Sequence, residues 1–263
     1  MKGTKQYIWN TGLIVTAAGV WQLCAHVLGP SRLPDILQVG SALVNSFQQD
    51  PIIAAQGGGS HGYSVHILAT MRNFLCGMVP GSLAGFTLAM VMSRSRIIYS
   101  FCEPIVEFVR TLPPLLVVPF AVLLVQSGCA LVAVTVGIYS GLMTCIYTLD
   151  AIGNVPDNYR YLAGLLGAGS LRVMKDIEIP ALLPELTGGL RVTAALGLGI
   201  CIVTEYMAAP DGIGRVMKFA LSYASVELIL VGVIWVVVLS LLTDAAISLC
   251  FRSANSWSRA QAN

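Results

Sequence analysis

Long apolar runs alternate with short polar breaks along this chain, and the runs are too long for buried helices of a water-soluble domain. A helix that crosses the hydrocarbon core of a bilayer takes about 20 mainly apolar residues. Six stretches meet that requirement: 8–28, 67–92, 106–125, 129–149, 190–207 and 226–249. The pattern predicts an all-α fold, a polytopic membrane helix bundle with six transmembrane helices. The first stretch runs into Leu28-Gly-Pro-Ser-Arg-Leu-Pro34, which has no small-x-small cleavage site, so it is expected to stay in the mature protein.

Composition sharpens this reading. Of 263 residues, 56% are hydrophobic and 11% charged, with mean hydropathy +0.78, against about 25% charged in ordinary globular chains. A net charge of +2 without a Lys/Arg stripe excludes a nucleic-acid binder. Position matters more than number. Lys2, Lys5, Arg94, Arg96, Arg160, Arg172, Lys175, Arg252 and Arg259 fall on one side of the predicted spans, and Arg32, Arg215 and Lys218 on the other. The excess of basic residues marks the cytoplasmic side, so both termini are expected inside. The segments 29–66 and 208–225 then face out, and 150–185 faces in.

Cys24, Cys76, Cys102, Cys129, Cys145, Cys201 and Cys250 are scattered singly, with no CxxC pair. In lipid a thiol packs as a small hydrophobe. His26, His61 and His66 have no ligand partner at helical spacing, so no metal site is expected. Gly77, Gly81 and Gly85 form a small-xxx-small ridge in the second span, suited to packing within the chain or, alternatively, to a dimer seam. The stretch Gln56-Gly-Gly-Gly-Ser-His-Gly62 lacks the Lys-Ser/Thr of a phosphate cradle and reads as a flexible outer loop.

Between spans four and five lies a patterned polar region. Asn154-Val-Pro-Asp157 is a helix-start signal, with Tyr159, Leu162, Leu165 and Leu166 at helical spacing after it. Gly167-Ala-Gly169 breaks that helix. A second short helix, with Leu171, Met174 and Ile177 on one face, is expected to end before Pro180 and Pro184. Two helices too short to span must bury their apolar faces on the bundle's inner surface or on a cytoplasmic partner.

The stretch from Ala163 through Gly214 resembles the EAA loop and following helix of permease subunits from binding-protein-dependent ABC importers, most nearly the nitrate, sulfonate, taurine and bicarbonate branch. Gly167 matches the loop glycine, and Ile179-Pro180 stands where the family has Leu-Pro. Pro184, Gly189-Leu-Arg191, Glu205 and Gly212-Ile-Gly214 fall in step. Upstream, RTLPPLLVVPFAVLLVQSG, residues 110–128, resembles the family's Arg-Pro-Ile-Pro-Pro segment. The likeness covers residues 66–251 and implies the type I ABC importer permease architecture, the MetI-like fold, in a bacterial cytoplasmic (inner) membrane.

On that resemblance, residues 1–65 form an N-terminal transmembrane helix and outer segment. Residues 66–251 form a five-helix permease core with a coupling loop at about 154–184, and 252–263 a cytoplasmic tail. The chain has no G-x-x-x-x-G-K-[ST] motif, so it is expected not to be an enzyme and to hold no cofactor. ATP and Mg²⁺ would belong to partner ABC ATPase subunits. The coupling loop is expected to involve Tyr161, Leu162, Ala163, Leu166, Gly167, Ala168, Ser170, Ile179 and Pro180. One departure stands out: Tyr161 and Leu162 occupy the positions of the family's Glu and first Ala. The other implied partners are a second permease subunit, an extracytoplasmic solute-binding protein and membrane lipid. Two copies of this chain are the favoured pair, a heteromer the alternative.

Charges inside a bilayer are costly, which makes each a functional candidate. Glu107 and Arg110 lie three apart and can pair on one helix face. Pro113, Pro114 and Pro119 leave carbonyls without partners, tolerated only beside protein or water. Arg110, Pro113, Pro114 and Pro119 are therefore candidate pathway residues. Glu205 is a candidate gate, bracing the outer turn at 210–214. Arg72 reads as a snorkelling side chain, and Arg191 as a partner for Asp176, Glu178 or Glu185. The function expected is ATP-driven import of a small, anionic solute. A secondary transporter is the alternative, although no inverted repeat is visible.

Overall fold

The computed structural model describes residues 2–55, 61–125 and 128–252, and among them every regular element is helical. Five helices are long and apolar enough to span a membrane, and a bent pair raises the number to six. The glycine-rich stretch 56–60 and the tail 253–263 lie outside the described residues.

Three long helices make the centre: α4 (Tyr63–Met92), α7 (Cys129–Gly153) and α10 (Ile179–Ala208), numbered in chain order. At 30 residues, α4 is about 45 Å long, well beyond a hydrocarbon core of about 30 Å. Lipid supplies no hydrophobic drive between helices, so close packing must hold them together. The glycine ridge does this within the chain: a Cβ on Gly81 or Gly85 would run into the backbone of Gly137 or Gly141 on α7. Around this seam Phe74, Val132, Val136, Leu198 and Cys201 are buried.

The remaining helices flank this centre. α12 (Val226–Cys250) packs on α10, and the short α11 (Ile213–Ser222) closes one end against α4, α10 and α12. There the buried Tyr63 hydroxyl donates to the Leu228 carbonyl at 2.6 Å. α1 (Lys2–Leu28) is exposed along most of its described side chains. It is tied to the next turn by Trp21 Nε1 donating to the Pro34 carbonyl at 3.1 Å and Gln22 Nε2 to Asp35 Oδ1 at 3.1 Å. α2 (Ile36–Asn45) rests on α12, and Asp50 Oδ1 caps the one-turn α3 (Pro51–Ala54) by accepting from the Ile52 and Ile53 amides.

Two expectations need correction. The third span is not one straight helix over 106–125. Between α5 (Arg96–Thr111) and α6 (Pro114–Val125) the chain bends by 108°, because Leu112 turns extended (ψ 122) before Pro113. A residue preceding proline is pushed out of the α region. The second short helix does not end before Pro180. α9 (Ser170–Val173) passes through a π turn, Met174–Glu178, directly into α10. Pro180 therefore follows directly on the π turn within a continuous helical run, and Pro184 is carried inside α10. The helix that holds the fifth apolar stretch thus starts well before residue 190, with α10 itself beginning at Ile179.

Candidate functional site

At one end of the bundle, after Pro156, stands α8 (Asp157–Leu165). Its terminus has the double hydrogen bond that a left-handed residue allows: the Ala168 amide donates to the Ala163 carbonyl and the Gly167 amide to the Gly164 carbonyl, both at 3.0 Å. Gly167 adopts φ +74, which a residue with a Cβ takes at a cost of about 1 kcal/mol or more. The predicted loop residues divide here. Ala163 is buried and Ala168 half-buried, while Tyr161, Leu162, Leu166, Gly167 and Ser170 are exposed; Leu166 reaches 86%. Leu162 and Leu166, with the likewise exposed Leu165 and Leu171, give this end an apolar surface. Ile179 and Pro180 lie elsewhere, half-buried at the start of α10, where Ile179 packs on the Met90–Ala151–Leu182 cluster.

The anchor of α8 is ionic. Arg160 Nε donates to Glu178 Oε1 at 3.0 Å and its Nη2 to the Ile152 carbonyl at 3.1 Å. Arg94, two residues past α4, donates from Nη1 to the same Oε1 at 3.3 Å, and its Nη2 pairs closely with Oε2. Glu178 itself is 2% exposed. A cavity of about 780 Å³ adjoins this triad, lined by Arg94, Arg96, Tyr99, Asp150, Arg160 and Gly164. Sequence reasoning missed this group. Arg160 and Glu178 were visible as charges near an apolar helix, but 18 residues separate them and nothing local paired them.

At the opposite end Glu205 lies buried in α10. Its Oε2 accepts from Thr70 Oγ1 at 2.8 Å and from the Gly214 amide at 3.2 Å; its Oε1 accepts from Asn73 Nδ2 at 3.2 Å. The Ile213 amide donates to Thr70 Oγ1 at 2.9 Å and the Gly212 amide to His66 Nδ1 at 3.1 Å. Gly212 has φ +110 and sits so close to the Glu205 carboxyl that a Cβ would collide with it. The turn before α11 is thus sewn to α4 through one carboxylate. Arg72, expected to snorkel, pairs with Asp211 at 3.0 Å and donates to Asn73 Oδ1 at 3.1 Å.

Midway, a cavity of about 530 Å³ opens between α5, α6, α7 and α10. Its walls are apolar except at Arg110, Thr135 and Tyr139. Of the pathway candidates, Arg110 lines it; Pro113 and Pro119 are exposed away from it, Pro114 opens α6, and Glu205 belongs to the end turn. Arg110 Nη2 pairs with Glu107 Oε2 at 2.5 Å, as the spacing predicts. Arg191 does not reach the carboxylates expected of it. Its Nε and Nη2 grip both oxygens of Asp244 on α12, at 2.5 and 2.8 Å, because α12 and not the α8 segment flanks that face of α10. No group of three metal-ligating side chains exists among the described residues.

Residues 81–254, from the glycine seam through both charged ends, match the family model described as binding-protein-dependent transport system inner membrane component. The chain belongs to that family. It is a multi-pass membrane protein, a permease subunit of an ABC importer. The nitrate import permease protein of Synechococcus elongatus is 25% identical over 74% of this permease and 70% of its own length. The taurine transport system permease protein of Escherichia coli is 22% identical over 97% and 91%. A chain of the MetNI methionine ABC transporter in an inward-facing conformation superposes with a TM-score of 0.63 at 15% identity. It covers 73% of this permease and 95% of that chain, so the MetI-like fold is common to both.

Proposed function

We propose that this permease works in ATP-driven import of a small anionic solute, with α8 as the seat for a separate ATPase subunit. The observation that carries this reading is the uncovered apolar surface of α8. Leu162, Leu165 and Leu166 stand exposed on a helix too short to span and pinned at its root by Arg160. In water such a surface is unfavourable until a partner covers it. The nine basic residues on one side support a cytoplasmic position for the α8 end and both termini. The turn held by Glu205 then faces outward, where a solute-binding protein docks.

Nitrate and taurine are the solutes in the names of two relatives, and both are small and carry an anionic group. The mid-membrane cavity offers one guanidinium, Arg110, among apolar walls. Two copies of the permease would enclose the path, and ATP with Mg²⁺ would sit in the ATPase pair. The test is uptake into proteoliposomes holding permease, ATPase and binding protein. Uptake of labelled nitrate or taurine is expected to require internal ATP. Uptake driven by an ion gradient with the ATPase left out would overturn the proposal.

A further inference from the structure

We infer that Glu178 is a positioning residue that carries displacement of α8 into α4 and α10 together; this rests on the reading of α8 as the ATPase seat. The carboxylate belongs to the π turn that runs without a loop into α10. Arg160 reaches it from α8 and Arg94 from the end of α4. One further bond, from Arg160 Nη2 to the Ile152 carbonyl, brings in the end of α7. Four segments thus converge on a single side chain pair.

Packing supplies only part of this link, through the buried Ala163. Between α8 and the ends of α4, α5 and α7 lies the cavity of about 780 Å³, lined by Gly164 and Arg160 from α8, Met92 and Arg94 from the α4 end, and Leu149 from α7. A push on α8 from its exposed face would be directed into this open cleft and not onto packed side chains. Charge-assisted hydrogen bonds between guanidinium and carboxylate bridge it, and they are directional and strong. The cavity gives α8 room to move, and the triad makes α4 and α10 follow. π turns occur often at functional sites in helices, and this one places Glu178 where α10 starts. Since α4 is locked to α7 through the glycine seam, a pull on Arg94 moves that pair as a unit.

The experiment uses the complete transporter in proteoliposomes, with ATP hydrolysis and labelled nitrate or taurine uptake measured on the same vesicles. Glu178→Gln keeps the shape and removes the charge. It is expected to leave ATP hydrolysis near the wild-type rate while solute imported per ATP falls roughly tenfold. Arg160→Gln should behave alike, and Arg160→Lys, which keeps a cation beside Glu178, should recover most of the ratio. An unchanged ratio in Glu178→Gln overturns the inference. So does a parallel loss of hydrolysis and uptake in all three variants, which would mark a folding role only. Wild-type uptake that ignores ATP is a different failure, that of the coupling reading itself.

Discussion

Thr70 on α4 donates its hydroxyl hydrogen to Glu205 Oε2 on α10 at 2.8 Å and with the same oxygen accepts the Ile213 amide at 2.9 Å. One hydroxyl therefore joins two spans and the turn that leads into α11. A hydroxyl can donate once and accept twice, so Thr70 serves as a relay without leaving a polar atom idle. Glu205 completes the joint by taking the Asn73 amide and the Gly214 N–H.

Removing this carboxylate should loosen the α11 end. Glu205→Ala leaves the Thr70, Asn73 and Gly214 donors unpaired at a cost of about 3 kcal/mol, and Glu205→Gln, which keeps one acceptor, about 1 kcal/mol. Thermal unfolding of the purified permease in detergent should give midpoints in the order wild type, Gln, Ala. A Glu205→Ala protein as stable as wild type would show that the joint holds nothing.

The glycine seam gives a second contrast. Gly85→Ala drives a methyl into the Gly141 backbone and should destabilise by about 1–3 kcal/mol. Gly188→Ala, with nothing within 4 Å of the added carbon, should be neutral or slightly stabilising. The same unfolding assay checks both.

At the coupling surface, Leu166→Arg should separate folding from assembly. Leu166 is 86% exposed, so the lone permease is expected to keep its stability within about 0.5 kcal/mol. Co-purification with the ATPase subunit should be lost. Retained co-purification and uptake would place the ATPase contact elsewhere.

Arg110 is the pathway test. Its pair with Glu107 is about half exposed on both sides, and such pairs add little to stability, roughly 0–1 kcal/mol. Arg110→Gln should therefore fold normally while import of nitrate or taurine drops and its half-saturating concentration rises. Normal import by Arg110→Gln would remove the cavity from the path.

The α8 segment was legible because its signals are local. Pro156, the Leu162/Leu165/Leu166 spacing and the break at Gly167 all act within one or two turns of backbone. The bend between α5 and α6 was only half legible: the prolines announced an interruption, but not that the chain would turn through 108°. The passage through Pro180 was misread, because a π turn is a choice of hydrogen-bond register that residue types barely signal.

By itself the sequence determined the order of the apolar stretches and the helix that carries the uncovered leucines, and it set an expected orientation. These follow from the bilayer, which obliges each span to satisfy its backbone internally and so makes length and hydropathy informative, though not about the break at Leu112 or the start of α10. Only the tertiary structure decided the partners of the charges. Arg94 and Glu178 are 84 residues apart, Thr70 and Glu205 135, and Arg191 and Asp244 53. Which cation meets which carboxylate depends on how each helix is rotated and how closely its neighbours approach, and the glycine contacts between α4 and α7 set part of that geometry.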